Sequence, residues 1–544
     1  MAAATRVFEA ASSEKGPPGL LERPLPWIAV LPMLTAVMFA INGFHPLAED
    51  GGLYVAGIEY RLDPALFPHY TAFVTEHLRF SVFATLMAAG IKLTHVPLSW
   101  ALWLADVISL WLTLYAGLLL LRRCTPSPTA QLGGVALLAV WSTLPVAGTS
   151  LLLVDPYLTA RSFSTPLSIL AIAFALDPWS TQTARGRQSF VLCALSLLFA
   201  TLMHPLMAAY ALAMVVLLRI LRSRHAFVLS ATLSAAALLL AAALHQFAPP
   251  DAPAAIAASL SRYYWFLSQW QWYEVCGLLG PIVILFLLLR HSVPPATETR
   301  LLAKAALLAG TVATLTALCF AHKQSTTYLL ARLQPLRIFL LIYAVMTLLL
   351  GAWICEWAAK LAKRSEPRKP RLYVLAIPIA MFALSGIALF SAQRATFPAS
   401  QHVEWPFAKP VNPWSRAFLW ARHNTPRDAL FALDPDYITT DGEDAQTFRA
   451  MSLRSAIPDF SKDGGEASIT TSLAPVWQQS LAAQSATQAG TRLTTKASLS
   501  HQDDTTRESH LRPLGVTWVV LHADALTAHP CPYNNSVVKV CHID

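Results

Sequence analysis

Residues 78–93 read LRFSVFATLMAAGIKL, and the placement of this apolar run decides the topology of everything after it. If it crosses a membrane, Arg122 and Arg123 behind the next apolar segment fall on the outer side, and each later basic loop follows them. If it lies along the outer interface, the second crossing covers about 97–121 and Arg122–Arg123 land inside. Arg185 and Arg187, the stretch LRILRSRH, Arg290 and Arg300, and KLAKRSEPRKPR then all fall on that same side. Loops on the cytoplasmic side of a membrane are enriched in Lys and Arg, so the second reading is adopted.

The chain has 544 residues, 55% hydrophobic and 13% charged, with a mean hydropathy of +0.48. Soluble domains carry roughly 25% charged residues. Apolar runs of about 17–25 residues, each able to cross a bilayer, recur from Pro26 to Phe390. The expected fold is mainly α: a polytopic transmembrane helical bundle of about 11 spans, followed by a small C-terminal extracytoplasmic α/β domain. The net charge of +9 sits in short loops, which is topology and not a nucleic-acid footprint. Residues 1–25 lack an apolar core and read as a cytoplasmic tail, with the run from Pro26 as an uncleaved anchor. Residues 26–391 form the membrane domain, with a first outer loop at 44–96, and 392–544 the outer domain.

In that tail, 428–436, 450–458, 516–524 and 537–543 read as short strands, and 413–424 and 472–485 as helices. Five of the seven cysteines lie in or beside apolar segments. Cys531 and Cys541 enclose PYNNSVVKV and suit a hairpin-closing disulfide in an oxidising compartment.

Chemistry concentrates in the outer loops. The first carries Glu49, Asp50, Glu59, Asp63 and Glu76, with Glu49–Asp50 directly before Gly51–Gly52 and LYVAGIEYRL suited to a short helix on the membrane face. Adjacent carboxylates there suit a divalent cation held through oxygen ligands or a general base; the plainer role is Asp50 as a helix cap. In VDPYLTARSFSTP, Asp155 suits a metal or acid/base site and Arg161 a phosphate, or the two order the loop as a pair. Lys323, Arg332 and Arg337 are cations on the outer side, fitting either an anionic lipid head group or side chains that snorkel to the interface. Asp106, inside a span, is expected to face the bundle, and His204 before Pro205 marks a hinge between two spans. RYYWFLSQWQWY suits an interfacial aromatic belt. The sequence has no Walker loop, no zinc-spaced Cys/His set and no GxGxxG behind a strand, which disfavours an ATP-driven pump.

The order of these parts resembles the GT-C superfamily of membrane glycosyltransferases, which includes protein O-mannosyltransferases and aminoarabinose lipid A transferases. One span leads to an acidic outer loop (Glu49–Asp50), then a non-crossing helix (78–93), then a helix that ends in Arg122–Arg123. A second acidic site, Asp155, follows, and then ARGRQSFVLCALSLLFATLMHPLMAAYAL with its His-Pro hinge. In the tail, TPRDALFALDPD, FRAMSLRSAIPDFSKDGG and LGVTWVVL are similar to the outer domain of bacterial GT-C-like proteins. The sequence departs from the family in having TEHLRF where a Tyr-Pro-Pro or His-Pro-Pro turn is common, and no DxD in the first loop.

The resemblance implies a multi-pass protein of a bacterial inner membrane that takes a sugar from a polyprenyl phosphate. The acceptor would be a glycan, lipid or protein. Asp50 would be the general base, Glu49 and Asp155 would hold the acceptor or a divalent metal ion, and Arg161, Arg332 and Arg337, with Lys323, would neutralise the lipid phosphate. The competing classes are a glycan- or lipid-binding assembly protein on the same scaffold and a lipid or polymer transporter. The scarcity of ionisable residues within spans speaks against the transporter.

Overall fold

A computed structural model describes residues 25–180, 182–291, 297–364, 371–434, 445–485 and 498–543. The expected cytoplasmic tail lies almost wholly outside the described residues, as does the middle of the KLAKRSEPRKPR loop. Among the described residues, seven helices are long and apolar enough to cross a membrane, from Leu98–Cys124 to Ala376–Thr396. Shorter apolar helices, Trp27–Asn42, Pro128–Val140, Ala160–Ala175 and Pro205–Leu221 among them, accompany these seven. The protein is a multi-pass membrane protein.

The basic loops gather at one end. There Arg123 meets Asp177 at 3.3 Å, Arg222 meets Glu298 at 3.6 Å, and Thr299 donates to the Cys124 carbonyl. The opposite end carries the acidic loops and the tail. Residues 78–93 stay there: Val82 N–H donates to the Leu202 carbonyl and Lys92 to the Arg61 carbonyl, so both termini of the Phe83–Thr94 helix belong to that end. At 1.5 Å per residue that helix spans about 18 Å, too short for a core of about 30 Å.

Close packing in the bundle rests on small residues, as expected where lipid tails remove the hydrophobic drive between helices. A Cβ at Gly133 would stand 2.5 Å from the Gly351 carbonyl oxygen, so the Pro128–Val140 and Phe339–Arg364 helices lie nearly backbone to backbone. The third span, expected over 130–149, is helical only to Val140. The chain then turns, with a bridge between Pro145 and Leu152, while Val146, Leu151 and Leu153 are buried. Non-helical backbone is tolerated at such depth when protein surrounds it. This turn positions Asp155.

The tail is the expected α/β unit, a five-stranded sheet in the order β2-β1-β3-β5-β4. β1 (Leu430–Leu433) runs parallel to β2 (Ser455–Ala456) and β3 (Trp518–His522); β5 (Val538–His542) is antiparallel to β3 and to β4 (Tyr533–Asn534). The expected strand at 450–458 is mostly wrong. Residues Ala445–Ser452 are a helix and only Ser455–Ala456 pair, because Phe448 and Met451 pack one helical turn apart into the tail core. The expected helices at 413–424 and 472–485 form as Pro413–Asn424 and Ala474–Ser485. Cys531 and Cys541 are joined as a disulfide.

The tail is fastened to the first acidic loop. Phe44 N–H donates to the His402 carbonyl, Thr447 Oγ1 to the Leu47 carbonyl and Gln446 Nε2 to the Phe73 carbonyl. The Asp50–Leu62 helix is therefore covered by tail and is not an open surface helix: Gly51, Gly52, Leu53 and Val55 to Glu59 are buried. A Cβ on Gly52 would stand 2.7 Å from the Thr447 amide nitrogen, so glycine is what admits the Ala445–Ser452 helix.

Candidate active site

Asp50 is the first residue of its helix, and Glu49 before it has φ +51°, in the left-handed region that non-glycine residues seldom occupy. Neither side chain caps the helix. Instead, Asp50 Oδ2 accepts from Arg161 Nη2 at 2.9 Å, and the same nitrogen donates to Asp155 Oδ2 at 3.0 Å. Arg161 lies in the first turn of the Ala160–Ala175 helix, where the helix dipole disfavours a cation. The two carboxylates compensate for that placement. Asn42 fixes the third partner by donating to the Asp155 carbonyl at 2.8 Å.

The fourth member comes from the tail. Lys462 Nζ pairs with Glu49 and lies 3.3 Å from Asp50 Oδ1. Lys462 starts the Lys462–Ile469 helix, and a buried network sets that start: Arg449 grips Asp463 with two nitrogens at 2.8 and 3.0 Å, both side chains fully buried. Arg262, from the loop after the Pro253–Leu260 helix, donates to the Phe460 and Ser461 carbonyls.

Exposure grades across the cluster. The side chains of Arg161 and Asp155 are 7% and 8% exposed, Asp50 is 25% and Glu49 42% exposed. Asp155 and Arg161 thus form the floor, and Asp50 is the floor's reachable neighbour. Burial alone would push the Asp50 carboxyl up, but Lys462 and then Arg161 outweigh it and hold Asp50 far below the usual carboxylate range. Burial raises Asp155 above that range despite Arg161, and the Asp50 charge adds to the rise. Asp50 is therefore ionised at any physiological pH, and its conjugate acid is strong.

The other expected residues separate. Arg337 faces the cluster closely enough for its charge to act on both Asp50 and Asp155. Its guanidinium lies 5.8 Å from the Tyr264 ring centroid, its Nε is shielded and unpartnered, and it makes no ion pair among the described residues. Arg332 is engaged elsewhere: it pairs with Asp251 at 2.6 Å and donates to the Ser468 carbonyl, bracing the Lys462–Ile469 helix from the bundle. Lys323 is half-buried on the loop before Tyr328, whose hydroxyl donates to its carbonyl. In the first loop, Asp63 pairs with Arg427, Glu76 with Arg79, and Glu59 is buried. Asp106 is 1% exposed inside its span. His204 caps the following helix through Nδ1 to the Met207 amide. The aromatic stretch is only partly a belt: Trp272 and Tyr273 are exposed, whereas Trp265, Phe266 and Trp270 are buried.

The metal expectation was placed on Glu49 and Asp155. Glu49 is taken by Lys462 and Asp155 by Arg161. Among the described residues no three His, Cys, Asp or Glu side chains converge as a metal site. As arranged, this donor set does not fit a divalent cation, because two cationic side chains already occupy the carboxylate oxygens.

Sequence reasoning missed Lys462. Its signal was present in SKDGGE, a lysine and a glutamate four residues apart around Gly-Gly, but nothing local to that segment points to the first loop.

No protein-family model matches the sequence, and no curated protein matches it. Among solved structures, the apo Archaeoglobus fulgidus oligosaccharyltransferase is similar at a TM-score of 0.47 and 11% identity, over 91% of this chain and 69% of that one. Its complex with Zn and sulfate aligns at 0.46 and 14%, over 91% and 68%. The archaeal oligosaccharyltransferase AglB, from the same organism, in complex with an inhibitory peptide and a dolichol-phosphate, aligns at 0.44 and 13%, over 91% and 69%.

Proposed function

We propose that the protein is a membrane glycosyltransferase that moves a sugar from a polyprenyl phosphate to an acceptor hydroxyl, with the site end facing away from the cytoplasm. The observation that carries this reading is Asp50: a reachable carboxylate, held between a buried guanidinium and an ammonium, near Arg337, which makes no ion pair among the described residues. The orientation follows from the basic residues gathered at the opposite end.

Each residue then has a separable task. The Arg337 guanidinium receives the lipid phosphate, and Lys462 supports the charge that grows there as the bond between the anomeric carbon and the phosphate oxygen breaks. The acceptor oxygen attacks the anomeric carbon from the opposite face and inverts it. Its proton passes to Asp50 late, because only a hydroxyl already bonding to carbon is acidic enough for so weak a base. Arg161 keeps Asp50 aimed, and Asp155 keeps Arg161 neutralised in the floor.

The test is turnover by wild type and Asp50→Asn in reconstituted membranes, following consumption of polyprenyl-phosphate sugars. Loss of at least about a hundredfold is expected for removal of a general base. Equal rates would remove Asp50 from the mechanism. No wild-type turnover with any donor would favour a glycan-binding protein on this scaffold.

A further inference from the structure

Next to the charged cluster lies a set of polar groups with no protein partner. Asp50 and Tyr54 are four residues apart on the Asp50–Leu62 helix, and Lys462 and Glu466 are four apart on the Lys462–Ile469 helix. Residues at this spacing share a helix face, about 5–6 Å apart at Cβ. Asp50 and Lys462 meet at 3.3 Å, and Glu466 lies close enough for its charge to act on the Tyr54 hydroxyl. The His77 ring stands edge-on to Tyr54 at 5.4 Å.

None of these three groups has a hydrogen-bond partner among the described residues. Both His77 ring nitrogens are shielded from solvent and unpartnered. Glu466 is 8% exposed, and neither its carboxyl nor the Tyr54 hydroxyl makes a hydrogen bond among the described residues. Buried polar groups are nearly always hydrogen-bonded, so the shielded His77 nitrogens and the buried Glu466, beside the half-buried Tyr54 hydroxyl, point to a bound molecule that supplies their partners. The groups are also uncharged near neutral pH. Burial, then Asp463, Asp50 and Glu76, push the Glu466 carboxyl up to about 8, and burial pushes His77 down to about 3. A neutral acid donates and accepts, as does each of its two neighbours.

We propose that Tyr54, His77 and Glu466 form a hydroxyl-reading subsite that holds an uncharged sugar ring beside Asp50. A hydroxyl-rich ring offers donors and acceptors a few ångströms apart, which is what three such groups near the reactive carboxylate can use. A phosphate belongs on Arg337, and an amine or a carboxylate finds no counter-charge among these three. The proposal rests on the glycosyl-transfer reading and specifies which part of the site recognises the sugar.

The test is equilibrium binding to the full-length protein in nanodiscs, with two probes: polyprenyl phosphate and the same lipid bearing a neutral hexose. Wild type should bind the glycosylated lipid more tightly than the bare one. Glu466→Ala and Tyr54→Phe should each weaken the glycosylated probe about tenfold, the loss of one hydrogen bond, and leave the bare lipid unchanged. Glu466→Gln, a neutral donor of the same shape, should stay within about threefold of wild type. A methyl hexoside added with the bare lipid distinguishes the sources: binding that Glu466→Ala weakens assigns the ring to the acceptor, and no such binding assigns it to the donor. Glu466→Gln as weak as Glu466→Ala would overturn the proposal, since a charged carboxylate would then be required. Equal weakening of the bare lipid would overturn it too, by showing that these residues hold the site together. If wild type binds bare lipid but gains nothing from the sugar, the subsite falls and the phosphate role of Arg337 stands. If wild type binds neither probe, both readings fall.

Discussion

The two ends of the bundle each hold an aspartate among arginines, and they use it differently. At the basic end, Asp177 accepts from Arg123 at 3.3 Å and Ser189 at 2.9 Å, and Arg185 lies 3.6 Å from its other oxygen. Its side chain is 7% exposed and all its partners come from the helices it joins. At the acidic end, one Arg161 nitrogen is divided between Asp50 and Asp155, Asp50 is a quarter exposed, and Arg337 is left over. The first arrangement is closed and the second is open. A closed cluster holds helices together, whereas an open one keeps lone pairs and donors in reserve for something that arrives.

The comparison is most easily broken at Arg161. Arg161→Gln leaves the buried Asp155 facing its neighbour Asp50 without their shared guanidinium, and should destabilise the protein by about 3–5 kcal/mol. Thermal unfolding in detergent checks this, and adding Asp155→Asn should recover part of the loss. Recovery of nothing would mean that the two carboxylates do not share the guanidinium.

Paired substitutions at the two aspartates come next. Asp50→Asn should cost at least about a hundredfold in turnover. Asp177→Asn should leave turnover near wild type and cost about 1–3 kcal/mol of stability through its charged hydrogen bonds. Reversed outcomes would place the reactive centre at the wrong end. Gly52→Ala should cost about 1–3 kcal/mol by overpacking and loosen the tail, because its Cβ meets the Thr447 backbone; faster proteolysis between 434 and 485 is the readout.

The smallest effect is on pH dependence. The folded-state pKa of Asp50 is depressed, so its contribution to stability is fully present above the unfolded value near pH 4. It is lost as pH falls below that. Wild type should therefore lose more stability than Asp50→Asn between about pH 5 and pH 3, measured by parallel melts.

The helical membrane fold was legible in the sequence because bilayer thickness imposes it. Apolar runs of the required length and the one-sided distribution of arginine are local properties of the chain. The expectation that 78–93 does not cross rests on the same distribution, since a single wrong crossing would scatter the basic loops. Short apolar stretches were harder: 450–458 has no period that separates strand from helix, and tertiary packing of Phe448 and Met451 chose helix for its first residues.

The site divides along the same line. The sequence by itself determined that Asp50, Asp155 and Arg161 lie at one end of the membrane domain, because topology alone puts their loops there. Only the tertiary structure decided that Arg161 bridges both carboxylates, that Arg332 is spent on Asp251, and that Lys462 of the tail pairs with Glu49 beside Asp50. The Arg161–Asp50 contact joins residues 111 positions apart, and the Lys462–Asp50 contact joins residues more than four hundred apart. No periodicity or local motif encodes such a distance; only docking of the tail on the first loop brings the charges together.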